Sequence, residues 1–453
     1  MKKIAIIGSG AYGSYAASLI AELHANWEIH IFEAGDHEVK NQDEMGFYSE
    51  VTNGYYGGLI KGRYFGFGGS TNKWGGQILT FSDNDFKNPT RYQKEIIELN
   101  KKYRTNIFKK VGIKNDYPEV VLPNGMFTKT GVWLDYFSRN LFKKFKVAKF
   151  KNVILHPHCR VCKMIVDAKK ITGFTYIHED CEKTARDYDY YFLAAGAFET
   201  TRIMMISGLQ DKTCVEFSDH INKKVSRIFG DTQMRPLDFT FHISKASFIT
   251  QRIIGEKDGI PFFAYPTYNE DFPFFQNLKK LLFGKKLSLG LIWSIFKDLP
   301  SFINFIWCFF ILRKLYVYKT WYFVLHMENL KGNGKVALSK IIDKFGQPGL
   351  SIDFHLTADV EKFYNSLTNE FEQMMKEWNV KFERLDDIVH TKKFEDEYHP
   401  CGLYSDFNSV EEYFTQFDNM IVIHSGVLPH AGGINSTAAA FPLVEEFIRE
   451  RMQ

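Results

Sequence analysis

At 453 residues the chain has room for two or three domains, and 45% hydrophobic with 24% charged residues is globular composition, which excludes a disordered or fibrous polypeptide. A formal net charge of +4, with no basic stripe interleaved with aromatics, gives no ground for a nucleic-acid partner. Six scattered cysteines are not a disulfide framework. Folding sequence begins at Lys2 with no apolar signal region before it, so the expected location is cytoplasmic.

The first unit reads strand, turn, helix, strand, acid. Lys3-Ile4-Ala5-Ile6-Ile7 is a continuous apolar run, as expected of a parallel strand covered by helices on both faces. It ends in Gly8-Ser9-Gly10-Ala11-Tyr12-Gly13. In such a turn the first glycine permits the bend, the second lets the backbone approach a pyrophosphate, and the third lets the helix pack on the strand. The helix N-terminus then faces the phosphate charge. After the helix, Glu28-Ile29-His30-Ile31-Phe32 ends in Glu33, about 20 residues beyond Gly13, where a carboxylate is placed to bond ribose hydroxyls. Strand, helix and acid together make Gly8, Gly10, Gly13 and Glu33 a dinucleotide site.

Tyr64 to Gln77 is a glycine-dense loop with Trp74 in its middle, and five glycines between Gly66 and Gly76 imply close backbone approach. Residues Lys87 to Lys146 read mostly helical and polar. Val153 to Val166 and Ile171 to Tyr176 read as a hairpin-type insertion turning at Lys169-Lys170. Within it, His156, His158, Cys159 and Cys162 have a metal-like spacing, but no second cysteine pair completes four ligands, and the stretch is taken as strand with no metal. Tyr188 to Leu193 is a further buried strand that ends in Ala194-Ala195-Gly196 and opens a helix, so the chain is expected to return there to the nucleotide sheet. Gly334 to Leu338 and Leu350 to Phe354 alternate like antiparallel strands, and a helix follows from about Ala358 to Trp378.

Near the C-terminus, Tyr398-His399-Pro400-Cys401-Gly402 precedes Gly426-Val427-Leu428-Pro429-His430-Ala431-Gly432-Gly433-Ile434-Asn435-Ser436-Thr437, and a closing helix runs from Ala438 to Arg451. Gly8 to Gly13 with Glu33, the loop Gly68 to Gly76, the segment Ala194 to Gly208 and this C-terminal block together resemble the glucose-methanol-choline (GMC) flavoprotein oxidoreductases, in that family's order and over nearly the whole chain. The resemblance implies an α/β fold. A discontinuous Rossmann-like FAD-binding domain (1–90, 146–228 and 390–453) and a helical connection (91–145) would carry an inserted α+β substrate domain (229–389) built on an antiparallel sheet.

It also implies bound FAD, with Gly69, Ser70, Asn72, Trp74, Ala195 and Gly196 joining the first unit as cofactor-binding residues and His430 bordering the flavin pyrimidine. His399 matches the active-site base and Asn435 its partner. The chemistry suits these types: oxidising an alcohol needs a base for the hydroxyl proton while hydride leaves carbon for the flavin. Neutral imidazole accepts such a proton near pH 7, and an Asn amide orients the substrate oxygen. Some relatives tether the flavin through a His in this glycine loop; the matching position here is Lys73 and the loop has no His, so noncovalent FAD is expected. The chain departs from the family at Ser436, where Pro is usual, and in Leu403 to Asp406 after Gly402. The expected function is oxidation of a hydroxyl on a sugar-like or amphiphilic alcohol, a small molecule or lipid-linked, with oxygen, a quinone or a protein taking the electrons. A flavin-recycling epimerase and a noncatalytic flavin- or lipid-binding protein are the alternatives.

Residues 276–319 stand apart. Lys279, Lys280, Lys285, Lys286, Lys297, Arg313, Lys314 and Lys319 face a single acid, Asp298, and frame the apolar runs Leu287 to Phe296 and Phe302 to Leu312. Each run is about half of the roughly 20 residues needed to cross a bilayer. Basic flanks with Trp293 and Trp307 between them predict docking on an anionic membrane surface without spanning it.

Overall fold

The computed structural model describes residues 1–122, 124–211, 213–234, 237–244, 247–269, 272–283, 289–297, 299–385 and 394–452. Lys285, Lys286 and Asp298 of the basic segment, and the expected boundary at 389/390, lie outside the described residues.

Lys3–Ile7 is the middle strand of a five-stranded parallel sheet, flanked by Glu28–Phe32 then Val153–His156 on one side and by Tyr190–Leu193 then Met420–Val422 on the other. Its side chains alternate between two cores. Ile4 and Ile6 pack under the helix Ala11–Leu23, while Ala5 and Ile7 pack on the opposite face with Val161, Met164 and Phe174. A continuous apolar strand is the sequence consequence of having both faces covered. The return to this sheet at Tyr190 occurs as expected, in register Ala5 to Tyr191, and Ala197–Ser207 is the helix that follows.

The stretch Val153 to Val166 is not one strand. Val153–His156 belongs to the parallel sheet, the chain reverses at His158 with φ near +55°, and Arg160–Asp167 starts a separate antiparallel sheet with Lys170–His178 and Cys181–Arg186. Cys159 and Cys162 are buried between the layers, where burial pushes both thiols up to about 11.

The second body is a ten-stranded, largely antiparallel sheet whose main path runs from Lys381–Arg384 through His220–Phe229, Thr320–Glu328, Ile260–Tyr268, Ser247–Lys257 and Phe127–Trp133 to Gln77–Ile78. The stretch expected to be mostly helical thus divides into the helix Arg91–Val111 and the strand Phe127–Trp133. The helix Ala358–Glu377 covers the outer face of the sheet with Val360, Tyr364, Leu367 and Phe371, and the Tyr364 hydroxyl donates to the Leu325 carbonyl at 2.8 Å. Gly334–Ile342 and Pro348–Phe354 are antiparallel as expected, but form their own sheet, on whose edge Ser49–Gly54 pairs in parallel across some 300 residues of chain.

Residues 273–283, 289–296 and 299–306 are short helices around a small core of Phe272, Phe274 and Phe305. Among the described residues no helix is long and apolar enough to cross a membrane.

Candidate active site

A cavity of about 460 Å³ runs from the glycine turn of the first strand to the inner face of the ten-stranded sheet. It gathers Gly8, Gly10, Glu33, Gly69, Ser70, Trp74, Ala195, Gly196, His399 and Asn435, residues from one end of the chain to the other. Gly13, Asn72 and His430 are not brought to its wall.

At the turn, the glycines divide their work by contact. A Cβ on Gly13 would lie 1.9 Å from the Gly8 carbonyl oxygen, so this position seats the helix on the strand. A Cβ on Gly10 would meet nothing within 4 Å and would project into the cavity, which is the space a pyrophosphate needs. Glu33 lines the cavity, but its carboxylate also ties the turn to the next loop: it accepts from the Ser9 N–H at 2.9 Å, the Ser9 hydroxyl at 2.7 Å, the Gly35 N–H at 3.2 Å and the Gly66 N–H at 3.0 Å. Asn72 is consumed by its own loop. Its amide donates to the Phe67 and Gly69 carbonyls and accepts from Asn140. Trp74 is fixed on the wall by its indole N–H donating to the Arg139 carbonyl at 2.8 Å.

His399 is placed by its backbone, whose N–H donates to both oxygens of Asp219 at 2.9 and 3.0 Å. Asp219 also takes the Tyr56 hydroxyl at 2.6 Å and the His220 N–H at 2.7 Å, and burial together with Asp396 holds its carboxyl well above the usual carboxylate range. Asp396 in turn accepts the N–H groups of Gly57 and Gly58. The His399 ring has no hydrogen-bond partner for Nδ1 among the described residues. Burial first, then the charges of His220 and Arg252, lower its pKa to about 3, so it is the neutral imidazole at physiological pH.

Asn435 sits in a loop held from the facing sheet. Glu328 accepts the Gly432 N–H at 2.8 Å and pairs with His430 Nδ1 at 2.7 Å, the His220 Nε2 bonds the Gly432 carbonyl at 2.7 Å, and Arg252 donates to the Gly433 carbonyl at 3.3 Å. His430 therefore anchors this loop to Glu328 and is not among the residues that line the cavity. The Asn435 Oδ1 accepts from the Thr437 N–H at 3.2 Å, which leaves its NH₂ as a donor.

Sequence reasoning missed Arg252, Glu397, Gln77 and Tyr265 on the cavity wall, and Asp219 and Glu328, which hold the His399 backbone and the Gly432 loop. A signal existed for Arg252. It shares a strand face with Thr250 and Ile254, an ion in a row that alternation marks as core. Glu397 lies two residues before His399, and burial pushes its carboxyl up to about 7 against the pull of Arg252.

No protein-family model matches this chain, and no curated protein matches it. Solved structures do. Pyridoxine 4-oxidase from Mesorbium loti superposes with a TM-score of 0.57 at 13% identity, covering 100% of this chain and 99% of the other. A formate oxidase of Aspergillus oryzae RIB40, described in work on FAD modification, gives 0.54 at 12% identity with 100% and 98% covered. Over its whole length the chain shares the fold of these two oxidases.

Proposed function

We propose that the protein is an FAD-dependent oxidoreductase that converts a hydroxyl of a sugar-like or amphiphilic alcohol to a carbonyl. The observation that carries this reading is the convergence, on one cavity, of a glycine cradle fit for a pyrophosphate with a neutral, desolvated histidine and an amide whose NH₂ is left as a donor. The residues suit the cofactor on two further counts. The Ser436 Oγ is buried on the cavity wall with no partner, and Gly196, with φ near +85°, would carry a Cβ into open space.

Gly8, Gly10, Gly69, Ser70, Trp74, Ala195 and Gly196 would hold the dinucleotide, and a bound flavin supplies the two-electron acceptor for the hydride. The Asn435 NH₂ orients the substrate oxygen, and His399 takes the hydroxyl proton as the C–H bond breaks. Burial of His399 makes its cation costly before reaction, so proton transfer is favoured only while the negative charge of the forming alkoxide is beside it.

The flavin is held without a covalent bond, because Lys73 is exposed and the 68–76 loop offers no His as a tether. Acid precipitation is expected to release the yellow cofactor into the supernatant. Colour retained in the washed pellet would refute this.

The same reading extends to a membrane surface. Exposed on the short helices are Trp293 at 65%, Trp307 at 56% and Ile303 at 57%, with Leu299, Phe310, Ile311 and Leu312. Lys279, Lys280, Lys297 and Arg313 are exposed on the same segment. Monomeric proteins rarely expose so many large apolar side chains together, and interleaved tryptophans and lysines match the headgroup layer of an anionic bilayer. Such docking suits a lipid-linked substrate. Intact protein is expected to float with anionic vesicles in low salt, and a Trp293→Ser/Ile303→Asp/Trp307→Ser variant to stay at the bottom of the gradient. Wild type that sediments with those vesicles present would end the membrane proposal.

A further inference from the structure

Among the described residues four long cationic side chains are buried: Lys129, Arg160, Arg202 and Arg252. Three have a carboxylate. Lys129 is paired with Asp85, Arg160 with Asp343 and Arg202 with Glu199. Arg252, 2% exposed, forms no ion pair with any described residue. Its guanidinium donates to the Gln77 Oε1 and to the Gly433 carbonyl, both neutral, and its Nε–H has no acceptor. The rings of Phe263, 4.5 Å away, and Tyr265, 5.6 Å away, lie beneath it. An arginine has five N–H donors in a planar fork. With two in use, the rest belong to a side chain that borders the cavity shared by His399 and Asn435.

Glu397 acts on Arg252 only from beyond ion-pairing distance, its Oε1 being taken by Asn222, and a buried ion with no carboxylate in contact is strongly disfavoured unless something compensates it in the working state. The arrangement at Arg252 resembles a half-built ion pair. Its charge is desolvated, its face is covered by aromatics, its position is fixed by two neutral acceptors, and the missing partner has the cavity as its way in.

We infer that the substrate carries a carboxylate, seated against Arg252, on the same molecule as the hydroxyl presented to His399. This rests on the oxidoreductase reading for the reaction but not for the binding. The observations favour a carboxylate over a phosphate monoester on charge. Glu397 lines the same part of the cavity, so a monoanion balances Arg252 while a dianion would be repelled by the neighbouring acid. A planar carboxylate also matches the guanidinium fork.

The pairing has a consequence for the base. The positive charge of Arg252 is one of the causes that hold His399 down, so a carboxylate placed on Arg252 removes that repulsion and makes His399 more basic only when substrate is present. The carboxylate itself is unchanged in the reaction. The carbinol carbon gives up its hydrogen with two electrons to the bound flavin, its oxygen gives up the proton to His399, and a C=O bond forms.

The test separates binding from turnover. Acetate and propionate, set against acetamide and propionamide, are titrated into the holoprotein and followed by the fluorescence of Trp74 and Trp133, which line the cavity. The acids are expected to saturate and the amides not. Arg252→Gln should weaken acid binding by roughly 10- to 100-fold, the worth of a hydrogen bond to a charged group, and Arg252→Lys should restore part of it. Amides that bind as well as acids, or Arg252→Gln protein that keeps acid affinity, would overturn the inference. If Arg252→Gln does not fold, the acid–amide contrast in wild type still decides. A second arm compares anaerobic flavin reduction by glycerate with glycerol and by galacturonate with galactose. Faster reduction by the neutral member of each pair, unchanged in Arg252→Gln, overturns the carboxylate and leaves the oxidoreductase standing. Selective acid binding with no reduction by any hydroxy acid supports the seat at Arg252 and removes the oxidoreductase.

Discussion

Replacing His399 with alanine is expected to leave the flavin bound and to slow its reduction by substrate by about 10² to 10⁴, the usual worth of a positioned acid–base group. Retention of the cofactor follows from the geometry. What anchors this segment is the His399 backbone N–H on Asp219, which survives the substitution, and the glycine cradle lies at the other end of the cavity. Rapid mixing under anaerobic conditions reads reduction directly and is independent of whatever reoxidises the flavin. An Asn435→Ala variant should show a smaller loss, because it removes orientation and leaves proton transfer in place. A His399→Ala protein that is reduced at the wild-type rate would take this residue out of the chemistry.

The second large effect is a contrast between two glycines three residues apart. Gly10→Glu is expected to give a protein whose melting temperature without cofactor equals that of wild-type apoprotein, yet which purifies colourless. The new side chain meets nothing within 4 Å of its Cβ, and φ at this residue is −64°, which any L residue adopts. Its carboxylate would occupy the phosphate position and repel the phosphates. Gly13→Ala should fail in the opposite way. Its Cβ would overlap the Gly8 carbonyl oxygen at 1.9 Å and crowd Ile6 at 3.2 Å, so the helix must lift from the strand at a cost of roughly 1–3 kcal/mol or more. Comparison must be made on apoproteins, because lost ligand alone lowers the melting temperature by mass action. Gly10→Glu protein that purifies yellow, or Gly13→Ala apoprotein as stable as wild type, would refute this division of roles.

What the sequence alone determined was local. The run from Lys3 to Glu33 was readable because strand, turn, helix and acid are contiguous, and each is dictated by periodicity or by where a side chain is forbidden. The same holds for Tyr190 to Ser207 and for the helix Ala358–Glu377. The C-terminal block added His399 and Asn435, which the fold then brought to the same cavity as Gly8, nearly the whole chain away.

Only the tertiary structure decided which strand edges meet and which polar groups are left over. Ser49–Gly54 joins Pro348–Phe354, Phe127–Trp133 joins Ser247–Lys257, and Val153–His156 leaves the hairpin for the parallel sheet. Alternation identifies a strand but not its neighbour, because pairing is chosen by burial summed over distant segments. Partner choice also settled the site. Nothing near His430 in sequence announces Glu328, the acid it pairs with, and nothing near Arg252 announces that no described carboxylate comes within ion-pairing distance of it. A side chain's charge is written in the sequence; whether that charge is compensated depends on everything folded around it.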